Sequence, residues 1–213
     1  LSLFTAGLSI FISGLGIITQ SWQANAAADS HASKVVKTAQ AKPNPNVPST
    51  NKPAATVVDD YEVPADHPRY LNIPVLGVHA RVLSVGLTNS GAVGTPGNVY
   101  DTAWYNGSAK PGQPGATLID GHVSSWTSNG VFYGLKQLST GDQLQIETGD
   151  SRVILYKVIA VRTYAANSVD MNAVLSPIAP SKSGLNLISC GGDVIAGTND
   201  FSQRIVVFAE QIN

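Results

Sequence analysis

The chain contains one cysteine, Cys190, and four histidines. Cys190 follows the apolar run Leu185-Asn-Leu-Ile-Ser189 and precedes Gly191-Gly192, so a strand end delivers a thiol to a point where the backbone is free to bend. His122 repeats the arrangement. Ala116-Thr-Leu-Ile-Asp120 reads as a strand, and Gly121-His122 opens the polar loop 123–130. A thiol nucleophile needs a proton acceptor or a positive neighbour, because free cysteine is mostly protonated at neutral pH. His31 falls in a polar stretch, His67 beside Pro68 and His79 in a strand connection, which leaves His122 as the partner. Arg204 lies 14 residues beyond Cys190, at the head of Ile205-Val-Val-Phe208. A chain that turns through residues 191–203 and returns antiparallel brings this guanidinium beside the thiol. There it can stabilise an oxyanion, and it does not deprotonate. Each residue alone has an ordinary explanation: a small buried cysteine, a packed histidine, a surface arginine on an edge strand. Their coincidence at three strand ends points to covalent catalysis.

The elements that must hold these groups are strands. Short runs rich in β-formers, at Tyr70–Ile73, Ala80–Gly86, Ala116–Asp120, Gln143–Thr148, Arg152–Thr163, Leu185–Ser189 and Ile205–Ala209, alternate with Gly, Pro, Asn and Asp. Gly149-Asp150 predicts a hairpin turn. Val131, Leu135 and Leu138 predict one short helical piece, and Asp170 caps another that ends before Pro177. The pattern is that of an all-β barrel or sandwich.

Composition narrows the function. Of 213 residues, 13% are charged, about half the usual share, and the net charge is −1. A nucleic-acid binder needs a basic face, which this balance excludes. One cysteine forms neither an internal disulfide nor a multi-cysteine zinc site. Acidic residues are sparse, and there is no phosphate loop, dinucleotide fingerprint or His-rich metal spacing, so neither a cofactor nor a metal is expected.

Three segments differ in character. Leu1–Ile18 is apolar and uncharged, enough to cross about 27 Å as a helix, and Trp22 follows at an interfacial position. Residues 1–22 are expected to be a signal-anchor rather than a cleavable signal peptide with Ala24-Asn25-Ala26 as its site, because the run exceeds the usual core of about 7–15 residues. Residues 23–60 carry Pro43, Pro45, Pro48 and Pro53 and no aromatic side chain before Tyr61, which predicts a disordered tether. Residues 61–213 hold most of the aromatics and form the expected barrel domain.

The order His122, Cys190, Arg204 resembles that of the sortases, membrane-anchored cysteine transpeptidases of Gram-positive-type cell surfaces. The family signature Thr-Leu-x-Thr-Cys reads Asn186-Leu-Ile-Ser-Cys190 here. The resemblance extends over about residues 71–209. It includes Leu71-Asn-Ile-Pro-Val-Leu-Gly77, Thr102-Ala-Trp-Tyr105, Lys110-Pro-Gly-Gln-Pro-Gly115, Val131-Phe-Tyr133, Gly141-Asp142 and Arg204-Ile-Val-Val-Phe208. The combination is most similar to class F, with class E second. Ser189 stands where Thr is usual, Asn186 replaces the first Thr, and Ser124 stands where class F carries Asp.

The resemblance implies a closed eight-stranded β-barrel with one or two short helices and a catalytic trio at Cys190, His122 and Arg204. It implies partners of two kinds: secreted proteins with a C-terminal Leu-Pro-x-Thr-Gly-like sorting signal (LPxTG-like), and an amine nucleophile on peptidoglycan or a pilin. It also implies a single-pass membrane protein with its catalytic domain outside the cytoplasm. Strand alternation points Ser189 away from the face of Cys190, whereas a bend at Gly191-Gly192 turns its hydroxyl toward bound peptide. The bent geometry is expected, with Ser189 substrate-binding, because sortase patterns keep a hydroxyl residue beside the cysteine. Two other readings compete. A chymotrypsin-fold cysteine protease shares the order His then Cys but needs two barrels. A non-catalytic tethered β-barrel adhesin or wall-binding module explains the anchor and strands but not the Cys–His–Arg ends.

Overall fold

The computed structural model describes residues 47–213, apart from Ser181, Asn199 and Asn213. The expected anchor at residues 1–22 and most of the expected tether lie outside the described residues. Among those described, no helix is long and apolar enough to cross a membrane.

Eight strands close a barrel: β1 (Pro68–Ile73), β2 (Val78–Val85), β3 (Thr102–Tyr105), β4 (Gly115–Gly121), β5 (Gln143–Thr148), β6 (Val153–Ala165), β7 (Ser183–Val194) and β8 (Phe201–Gln211). Their order around the barrel is β1-β2-β3-β4-β7-β8-β6-β5, with β5 closing onto β1. The pairs β2–β3 and β4–β7 are parallel and the rest antiparallel. Parallel neighbours need a crossover. Residues 86–101 supply the first, and the chain through β5 and β6 supplies the second. A chymotrypsin-type protease needs two barrels, and the described residues form one.

Strand alternation sorts the side chains into two apolar layers. Leu71, Ile73, Trp104, Ile119, Leu144, Ile146, Tyr156, Leu185, Leu187, Ile205 and Val207 fill the barrel. Leu118, Val206 and Phe208 point outward and are covered by Val174 and its neighbours. Strands buried on both faces explain why the run at 205–208 is apolar throughout and why those at 116–119 and 185–188 are broken only by the buried Thr117 and Asn186. The cover is pinned by Asn186, whose Nδ2 donates to the carbonyls of Val174 (2.7 Å) and Ser176 (3.0 Å).

Two short α-helices occur among the described residues: α1 (Ala55–Asp59) and α2 (Met171–Val174). Asp170 caps α2, accepting from the backbone N–H of Asn172 at 3.0 Å. The helical piece expected near Val131–Leu138 is a 3-10 turn at Leu135–Gln137, with Leu135 and Leu138 buried in the barrel. β3 was not among the strands expected from apolar runs. Four residues are too few to show a periodicity, and β3 is held by its two neighbours. Residues 47–60, at the end of the expected tether, touch the barrel. The Arg69 side chain donates to the carbonyls of Tyr61 and Asp59, and Tyr70 Oη to that of Val58.

Candidate active site

Three adjacent strands, β4, β7 and β8, carry the site. Cys190 on β7 lies directly opposite Arg204 on β8, two residues beyond the pair Ile188–Val206. On the other side, Asp120 on β4 is in register with Ile188, so His122, two residues on, is level with Cys190. Leu118 and Asp120 on β4, Ile188 and Cys190 on β7, and Val206 and Arg204 on β8 all belong to the outward face. The site is the upper edge of the outer apolar layer, where polar groups replace hydrocarbon.

The His122 backbone is held from several directions. Its carbonyl accepts from Phe132 N–H at 2.9 Å, and Gly130 N–H donates to the Val123 carbonyl at 2.9 Å. Gly130 has to be glycine, because a Cβ there would lie 2.2 Å from the His122 carbonyl oxygen. The imidazole Nε2 donates to the Pro96 carbonyl at 2.7 Å, which orients the ring from the β2–β3 crossover.

The strand does not bend at Ser189, contrary to the expected geometry. Pairing with β8 is regular through Ser189, Cys190 and Gly191, and it shifts only between Gly191 and Val194. The Ser189 side chain therefore points inward and is 1% exposed. Its Oγ donates to the Gly121 carbonyl at 2.6 Å. The hydroxyl ties β7 to the residue before His122 and does not reach the cavity.

Arg204 turns its guanidinium toward the β7–β8 loop. Nη1 donates to the carbonyls of Phe201 (3.0 Å) and Gln203 (2.9 Å), and Nη2 meets Asp200 Oδ1 at 2.7 Å. The Phe201 N–H and the Arg204 guanidinium together hold the Asp200 carboxyl below its ordinary range. Asp120 behaves oppositely. Burial pushes its carboxyl up to about 7, against the opposing pull of the Gly121 N–H and Arg204. Burial also raises the Cys190 thiol above its ordinary value. Arg204 lowers it, while the Asp120 and Asp200 carboxylates raise it further. The resting thiol is therefore neutral at pH 7.

Cys190 and His122 open into one cavity of about 240 Å³. Thr95, Trp126 and Phe201 wall it, and Val47 and Pro48 close one side. Trp126 is 75% exposed, a large aromatic surface on the loop after His122. Sequence reasoning missed Trp126 and Asp120 as parts of the site. Their signals were a lone tryptophan in a polar loop and a carboxylate ending an apolar strand two residues before the histidine. Among the described residues no three His, Cys, Asp or Glu side chains gather to hold a metal ion. The arrangement suits nucleophilic attack by a thiol on a carbonyl, with an imidazole for proton transfer and a cation at the rim.

A family model for the sortase domain matches residues 71–212. Among solved structures, sortase C-1 from Actinomyces oris (formerly Actinomyces naeslundii) aligns with a TM-score of 0.54 at 18% identity, over 89% of this chain and 99% of that one. A mutant of sortase C-1 from S. pneumoniae gives 0.54 at 20% identity, over 77% and 75%. Sortase A from Corynebacterium diphtheriae gives 0.52 at 20%, over 79% and 73%. At these identities the likeness is one of fold. No curated protein sequence matches the chain. The family match runs from within β1 past the end of β8 and takes in all three strands that carry the thiol, the imidazole and the guanidinium; the chain belongs to the sortase family of cysteine transpeptidases.

Proposed function

We propose that this sortase cleaves a Leu-Pro-x-Thr-Gly-like sorting signal with Cys190 as nucleophile, His122 as proton carrier and Arg204 as oxyanion stabiliser. The observation that carries the assignment is the register: Cys190 faces Arg204 across β7–β8 and shares a cavity with His122. The neutral thiol passes its proton to His122 as Sγ attacks the threonine carbonyl carbon. The tetrahedral oxyanion is met by backbone N–H groups and by Arg204, once its guanidinium swings from Asp200 toward the cavity. His122 returns the proton to the leaving amine as the C–N bond breaks, leaving a thioester on Cys190. An incoming amine attacks the thioester, loses its proton to His122, and expels the thiolate, which is reprotonated. Water in place of the amine gives hydrolysis. Oxyanion donors of this kind are worth about 2.7–4 kcal/mol each.

The partners follow from this reading: secreted proteins ending in such a signal, and an amine on peptidoglycan or a pilin. Residues 1–22 would anchor the enzyme with its barrel outside the cytoplasm. The motifs around Lys110–Gly115 and Gly121-His122 support placement near class F, with class E second.

Cleavage of a fluorogenic Leu-Pro-x-Thr-Gly peptide by the full chain tests the trio. Cys190→Ala abolishes turnover, since no other thiol exists to form the acyl-enzyme. His122→Ala and Arg204→Ala each lower kcat/KM by about 10²-fold or more. Retained activity in Cys190→Ala contradicts the assignment.

A further inference from the structure

A second cavity, of about 510 Å³, shares no lining residue with the thiol cavity. The register places it at the same end of the barrel. Thr102 pairs with Gly121 on one side and with Val82 on the other, so Arg81 and Asp101 lie level with His122, and Val78–Ala80 lie beyond them. One segment joins the two cavities. Phe132 N–H donates to the His122 carbonyl at 2.9 Å, while Gly130, Val131 and Tyr133 line the second cavity. The transpeptidation chemistry makes no use of this space.

Its lining combines fixed polar groups with flat rings. Arg81 grips Asp101 through Nε and Nη2, at 3.0 and 2.7 Å, which orients the guanidinium; among the described residues Nη1 has no acceptor. His79 is oriented in the same way. Its Nδ1 meets Asn72 Oδ1 at 2.5 Å and its ring stacks on Tyr70 with centroids 4.9 Å apart, which leaves Nε2 for a ligand. Tyr133 is 57% exposed, and Tyr100 supplies a second ring. Gln137 adds an amide and Lys52 an ammonium. Asp101 is the only acidic residue of the lining and is already met by Arg81, so Lys52 leaves the cavity with a surplus of positive charge.

This set of groups suits a sugar. Hydroxyls both donate and accept, and here they meet a guanidinium, an imidazole and an amide whose planes are suited to them. The C–H face of a pyranose lies flat on a tyrosine ring, which carries its negative charge on that face. The surplus ammonium selects a ring that bears a carboxylate. The volume falls within the range of small-ligand sites, about 300–1,000 Å³. A nucleotide would need a phosphate cradle, and the sequence has no phosphate loop.

We propose that the second cavity is a binding site for an acidic saccharide. Tyr133 lies under the pyranose ring, Arg81, His79 and Gln137 bind its hydroxyls, and Lys52 binds its carboxylate. None of Cys190, His122 and Arg204 lines the cavity, so the proposal stands independently of the sorting-signal reading.

Isothermal titration of the full chain tests this with three probes. A hyaluronan tetrasaccharide, which alternates glucuronate and N-acetylglucosamine, supplies rings and carboxylates. Chitotetraose supplies rings without charge, and tetraglutamate supplies charge without rings. The site predicts saturable binding of the hyaluronan fragment, binding of chitotetraose weaker by about fivefold, and none of tetraglutamate. Tyr133→Ala weakens the hyaluronan fragment by about tenfold. Lys52→Gln weakens it by about fivefold and leaves chitotetraose unchanged. Both side chains are exposed, so Tm stays at the parent value in each variant. These results hold whether or not a Leu-Pro-x-Thr-Gly peptide is cleaved. No saturable binding of either saccharide at millimolar concentration, equal affinity for the two saccharides, tetraglutamate binding as tight as the hyaluronan fragment, or affinities unmoved by both substitutions overturns the site.

Discussion

Asp120 and Ser189 are the residues whose roles are set by where the fold places them. The Asp120 carboxyl, raised to about 7, adds negative charge beside the thiol as pH climbs. Asp120→Asn removes that charge, so the midpoint of Cys190 alkylation against pH moves downward. A midpoint that stays in place shows that Asp120 does not act on the thiol. Ser189 acts at one remove from the chemistry. Ser189→Ala breaks the 2.6 Å bond to the Gly121 carbonyl and costs about 1 kcal/mol of stability. Because that bond fixes the residue before His122, kcat falls more than KM changes. A variant with lowered Tm and unaltered kcat would mean that the hydroxyl only packs.

At the scale of elements, the site depends on how the β4–β5 connection meets β4. Gly130 lets the chain pass against the His122 carbonyl, and a methyl there would clash at 2.2 Å. Gly130→Ala forces one of the two backbones to move, and the expected result is a loss of kcat/KM of about 10²-fold with the fold retained by circular dichroism. Near-parent activity would show that the loop absorbs the methyl without disturbing His122. The strands that carry Cys190, His122 and Arg204 were legible in the sequence because each is a mostly apolar run buried on both faces, leaving the polar residue at or beside its end conspicuous. The register of Cys190 with Arg204 was legible because a turn-rich stretch between two apolar runs is a hairpin. β3 gave no such signal at four residues. The inward direction of Ser189 follows from regular alternation, and the expected bend failed because the first ladder shift comes after Gly191. Residues 47–51 read as tether because their contacts are made by backbone groups and one asparagine amide, which composition does not reveal.

At the scale of the molecule, one buried ion pair bears on the response to mutation and one half-buried carboxyl on the response to pH. Arg81 Nε and Nη2 meet the Asp101 carboxylate at 3.0 and 2.7 Å, joining β2 to the start of β3 with both side chains largely buried. Asp101→Ala strands the guanidinium and costs about 3–5 kcal/mol in urea unfolding. A loss below about 1 kcal/mol would mean that water reaches Arg81 freely. Among the described residues Asp120 has no such ion pair. Its folded value lies above that of the unfolded chain, so the folded state binds a proton where the unfolded state has released it. Its contribution to stability is full below about pH 4 and is lost as pH rises toward about 7. The raised thiol of Cys190 extends the same sign above pH 9. Tm therefore falls between about pH 4 and 7 through this group in the parent chain and falls less in Asp120→Asn. Parallel Tm profiles would contradict the raised carboxyl.

The central claim is that Cys190 forms the acyl-enzyme, and intact-mass spectrometry of the full chain tests it directly. Incubation with a Leu-Pro-x-Thr-Gly peptide and no amine acceptor, followed by an acid quench, should show an adduct equal to the peptide acyl portion ending at threonine. The adduct should map to Cys190, disappear when hydroxylamine is added, and be absent from Cys190→Ala. Peptide cleavage with no mass added to the parent chain, or an adduct that persists in Cys190→Ala, would contradict the account.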